Sequence, residues 1–76
     1  MATKIRGTMD DRSQMILGQV RKVFNPRWIH KTANHIFIGF DDGTSAEDEL
    51  CNFMNMHGYE LSEINDKAGW DDYIFE

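Results

Sequence analysis

Residues 45–75 read S-A-E-D-E-L-C-N-F-M-N-M-H-G, then Y-E-L-S-E-I, N-D-K-A-G and W-D-D-Y-I-F. This stretch decides the fold class, because it reads as one helix followed by one hairpin. Ser45 is suited to cap a helix whose first turn holds Glu47, Asp48 and Glu49, all favourable at the positive end of the helix dipole. Ala46, Leu50, Phe53, Met54 and His57 share one face of that helix. Gly58 is placed to end it in the left-handed conformation. Beyond it, residues 59–64 and 70–75 read as strands, joined by Asn65-Asp66-Lys67-Ala68-Gly69, a loop with turn residues at both ends.

The same pattern repeats upstream. Residues 8–25 read as a helix, with Ile16, Leu17, Val20, Val23 and Phe24 in a stripe about 120° wide. Thr8 with Asp11 resembles a capping box, and Arg21 and Lys22 suit the negative end of the dipole. Asn25-Pro26 stops the helix, because the residue before proline is pushed out of the helical region. Residues 28–31 and 35–40 look like strands around Thr32-Ala33-Asn34, and Asp41-Asp42-Gly43-Thr44 is a turn by composition. Residues 1–7 carry no periodic pattern and are expected to be a loose tail. The expectation is a single α+β domain over residues 1–76, in the order helix, hairpin, helix, hairpin, with an antiparallel sheet packed by two helices.

Seventy-six residues suit one small domain rather than a multidomain enzyme, and 41% hydrophobic with 28% charged side chains is a globular balance, not a disordered one. One cysteine excludes an internal disulfide framework and suits a reducing cytoplasm. No apolar run approaches the roughly 20 residues of a membrane span, and residues 1–10 lack the apolar segment of a secretory signal. Charge is unevenly divided. Residues 1–40 hold seven basic residues against two acidic, a balance of +5, and residues 41–76 hold Lys67 alone against eleven acids, a balance of −10. An asymmetry of this kind points to a charged partner.

No catalytic constellation is visible. Cys51 with a histidine is the one nucleophile–base pairing on offer, and no glycine-rich phosphate loop occurs. His30, His35, Cys51 and His57 lack the close ligand pairs of a structural zinc site, so no metal or cofactor is expected. Asp71 and Asp72, adjacent on a strand, point to opposite faces and make no acid–base pair.

The segment L-C-N-F-M-N-M-H-G-Y-E-L-S-E-I from Leu50, followed by a hairpin ending Y-I-F, resembles a small domain family of unknown function. That family has a helix ending in glycine, then Trp or Tyr with Glu-Leu, then two short aromatic-rich strands. Gly58, Tyr59, Glu60 and Leu61 match it. The resemblance covers about a third of the chain, implies an αββ unit and implies no activity. In size, acidity and Met-containing helices the chain is also similar to small phage-encoded inhibitors of host or defence machinery.

The functional expectation is a non-enzymatic binding protein whose acidic and aromatic surface docks on a basic site of a larger protein. The expected surface comprises Asp41, Asp42, Glu47, Asp48, Glu49, Asp66, Asp71 and Asp72 as steering charges. Its candidate anchors are Trp28, Trp70, Tyr73 and Met56, Met56 lying about 80° outside the apolar stripe of its helix. The alternative is a nucleic-acid-binding regulator acting through Arg21, Lys22, Arg27, Trp28 and Lys31, which an isoelectric point near 5.0 disfavours. A homodimer fits either reading, because each hairpin leaves an open strand edge.

Overall fold

A computed structural model of the chain describes residues 5–7, 10–41, 46–67 and 69–76. Its elements run β1 (Ile5–Gly7), α1 (Asp11–Phe24), β2 (Trp28–Lys31), β3 (Ile36–Asp41), α2 (Glu47–Met56), β4 (Leu61–Lys67) and β5 (Trp70–Phe75). The five strands form one sheet in the order β1-β2-β3-β5-β4. Strands β2, β3, β5 and β4 are antiparallel neighbours, and β1 runs parallel to β2 at one edge. The α+β class holds, but the expected helix–hairpin–helix–hairpin order does not, because a strand precedes α1. That strand lies in the segment expected to be a loose tail. Parallel neighbours need a crossover of a dozen or more residues, and α1 supplies it. Three residues are too few to show a period, so nothing local marks them.

Helix α1 starts later than its sequence pattern suggests. Asp10 is its cap, its carboxylate accepting the Ser13 amide at 2.7 Å. That bond holds the Asp10 carboxyl below its usual range. Thr8, the expected cap, lies outside the described residues, as does Ser45 at the head of α2. Ala46 immediately precedes α2 and gives it no side-chain cap. At the far end of α1, Asn25 turns left-handed with φ 50° and its amide donates to the Arg21 carbonyl at 3.1 Å. Helix α2 closes as expected on Gly58, whose φ is 89°. The Gly58 amide reaches the Asn55 carbonyl and the Tyr59 amide reaches that of Met54, which satisfies two orphan acceptors.

Both helices lie on one face of the sheet. Ile16, Leu17 and Val20 of α1 and Leu50 and Met54 of α2 meet Ile29, Ile36, Ile38, Phe40, Tyr73 and Phe75 in one buried cluster. Each fully buried side chain of this size contributes about 1.5–3 kcal/mol. Val23, placed in the apolar stripe by its spacing, is instead 71% exposed. Phe24 packs edge-on against Phe53 at 5.9 Å between ring centroids. No helix among the described residues is long and apolar enough to cross a membrane.

Strand β4 also departs from its expected range, running to Lys67 rather than ending at Ile64. Positions 65, 66 and 67, expected in the loop, continue the ladder opposite Asp72, Asp71 and Trp70. Polar residues are tolerated there because β4 is an edge strand. The connection shrinks to positions 68 and 69, with Gly69 at φ 93°.

Candidate functional site

Alternation along the strands sends every second residue to the face away from the helices. That face carries Trp28 and His30 from β2, Phe37, Gly39 and Asp41 from β3, and Trp70, Asp72 and Ile74 from β5. None of these belongs to the helix-side core cluster. Among the described residues no helix covers them.

The centre of this face is built around a missing side chain. Trp28 pairs with Gly39 across the β2–β3 ladder, and the indole lies directly on the glycine. A Cβ at position 39 would come within 2.3 Å of the indole Cε2. Laid down in this way, the indole Nε1–H of Trp28 donates to the Asp72 carboxylate at 3.0 Å. Asp72 is Gly39's partner on the other side, in β5, so three neighbouring strands fix one ring. Trp70 meets Trp28 edge-on, at 5.3 Å and 77°. Its own Nε1 is buried and finds no acceptor among the described residues.

Around the tryptophans lies a polar border. Arg27 donates to Asp41 at 2.9 Å, an exposed pair that contributes little to stability. His30 stands edge-on to Phe37 at 6.1 Å. Arg27, Trp28, His30, Thr32, Phe37 and Asp72 line an open groove of about 760 Å³.

The expected surface residues divide between the two faces. Asp41, Trp70 and Asp72 sit together on the open face. Asp66 and Asp71 stand opposite each other on the helix side, because strand parity turns Asp71 away from Asp72. Burial first, then the carboxylates of Glu47 and Asp71, push the Tyr73 hydroxyl above its ordinary pKa. Glu47, Asp48 and Glu49 are all exposed on the first turn of α2. Met56 is 81% exposed, as its position on the wheel suggests, but lies at the other end of that helix. Asp42 lies outside the described residues. Tyr73 is corrected: at 5% exposure, with its ring against Phe40, it is core and cannot anchor a partner. The acids of the second half therefore do not form one patch.

The basic residues of the alternative reading divide as well. Arg27 and Trp28 reach the open face. Arg21 and Lys22 are exposed on the last turn of α1, and Lys31 turns to the helix side, where its ammonium donates to the Thr32 carbonyl at 3.1 Å. Cys51 is half-buried, and burial with Glu47 and Asp48 pushes its thiol up, away from a reactive thiolate. Sequence reasoning missed Phe37 and Gly39. The available signal was that Ile36–Phe40 is apolar at both parities, which a strand covered on one face does not need. The chain matches no family model, no curated protein and no solved structure.

Proposed function

We propose that the protein is a non-enzymatic binding module whose open sheet face docks on a basic surface of a larger protein and occludes it, in the manner of a small inhibitor. The observation that carries this reading is the Trp28–Trp70 pair, held by Gly39 and Asp72 on a face that no described helix covers. Tryptophan is enriched among interface hot spots, and a ring fixed beforehand loses little entropy on binding. Asp41 and Asp72 flank the pair, and the chain's net charge of −5 favours encounter with a cationic partner. The carboxylates of α2 and of Asp66 and Asp71 lie on the other layer. They add to the long-range field and are not contacts.

The test compares wild type with Trp70→Ala, both shown folded by circular dichroism, as baits in lysate of the native source. A discrete protein retained by wild type, lost on Trp70→Ala and released by salt is the expected result. Equal retention by both baits contradicts the proposal. An oligothymidylate arm tests the nucleic-acid alternative. Retention of that strand, abolished by Arg27→Ala and steeply weakened by salt, would replace the protein partner with a nucleic acid.

A further inference from the structure

We infer that the outer edge of β4 joins two copies of the chain into a symmetric dimer with a continuous sheet. Among the described residues the sheet has two edges, β1 with three residues and β4 with seven. An edge strand presents a row of unpaired backbone groups that favours pairing with another strand. β4 contains no proline, and Ile64 is 39% exposed on it.

The bulge between Leu61 and Glu63 sets the register. It takes the start of the strand out of the regular ladder and leaves Glu63–Ile64–Asn65–Asp66–Lys67 as the regular edge. A two-fold axis through Asn65 is the antiparallel register that pairs all five residues with their copies. It sets Glu63 opposite Lys67, Ile64 opposite Asp66, and Asn65 opposite itself. Two opposite-charge pairs face each other per dimer, and no like charges stand directly opposite. A slip by one residue sets side chains of opposite pleat parity across from each other, and a slip by two toward the end of the strand sets Asp66 opposite itself, a like-charge pair. The charge pattern of the edge thus favours one partner, a second copy, in one register. Both helical layers then lie on one side, and the two open faces become continuous.

This inference does not depend on what the open face binds. The test is sedimentation of the full chain over a concentration series, with Glu63→Lys and the charge-swapped Glu63→Lys/Lys67→Glu. Wild type is expected to dimerise. Glu63→Lys sets like charges opposite at both ends and weakens the dimer about ten-fold or more, and the swap restores it to near the wild-type value. Within one copy, position 63 stands opposite Ile74 and position 67 opposite Trp70, so neither exchange sets like charges directly opposite each other across the chain's own ladder. Circular dichroism of each variant separates lost association from lost folding. A wild type that stays monomeric at millimolar concentration overturns the inference. So does a dimer indifferent to Glu63→Lys, or a folded double variant that fails to recover.

Discussion

The two faces of the sheet are made by alternate residues of the same strands and differ in what their side chains are for. The helix side is closed off, with Ile29, Ile36, Ile38, Phe40, Tyr73 and Phe75 in one cluster with Leu17, Val20 and Leu50 of the helices. The open side holds Trp28, Phe37 and Trp70, large rings of which the two indoles pack on each other and that of Trp28 on a glycine. Apolar side chains, branched or aromatic, gain from being covered, and the helices cover these. An indole gives a rigid apolar surface with a polar handle and holds its place without a layer above it. The difference teaches that this sheet concentrates its stability on one face and, among the described residues, leaves the other without a covering layer.

Truncation on the covered face is the most damaging test of that contrast. Phe75→Ala is expected to cost about 3–5 kcal/mol, read by denaturant titration, which a chain of this size barely tolerates. A loss as small as that of an open-face variant would erase the distinction between the faces. Gly39→Val comes next. The new side chain evicts the Trp28 indole, at a cost of about 1–3 kcal/mol. The near-ultraviolet dichroism of the tryptophan pair should collapse while the helical signal persists. An unchanged aromatic spectrum would show that the indole does not lie on the glycine. Trp70→Ala is smaller, about 1–2 kcal/mol, from one aromatic pair and a partly buried ring. This variant should remain folded while its binding is lost, and unfolding instead would put Trp70 on the side of the core.

The smallest effect sharpens the contrast from the core side. Tyr73 is covered, and burial raises its hydroxyl pKa in the folded chain above the ordinary value of 10.0. An acid whose pKa is raised by folding stabilises the folded state while it stays protonated. That contribution is complete below about pH 10 and is lost as pH climbs through the unfolded value toward the folded one. Stability should therefore decline above about pH 10, and Tyr73→Phe should flatten the decline. An unchanged alkaline profile in Tyr73→Phe would mean that the hydroxyl is not buried.

Features set by a few neighbouring residues were legible in the sequence. Strand β5 and the left-handed Gly58 fall where local chemistry puts them, as does the stop at Asn25-Pro26. Strand β1 was not legible, because Ile5-Arg6-Gly7 becomes a strand only when α1 brings β2 beside it. The reach of β4 was hidden because Asn65-Asp66-Lys67 has turn composition, and only its pairing with Trp70–Asp72 makes it a strand. The site was half legible for the same reason. Aromatic anchors and acids were visible as residue types, and the divergence of Asp71 from Asp72 follows from strand parity. The seating of Trp28 on Gly39, and its hydrogen bond to a carboxylate 44 positions away, depends on the register of two hairpins in one sheet. No local pattern encodes that.

If the open face is the docking surface, the chain's two tryptophans report on it directly. A proton–nitrogen spectrum of the labelled protein carries two indole signals, one from Trp28 and one from Trp70. Titration with the partner that wild type retains and Trp70→Ala loses should shift or broaden both signals, leaving the amides of α1 in place. Indole signals that stay fixed while the helix amides move would place the contact on the covered layer and contradict docking through the open face.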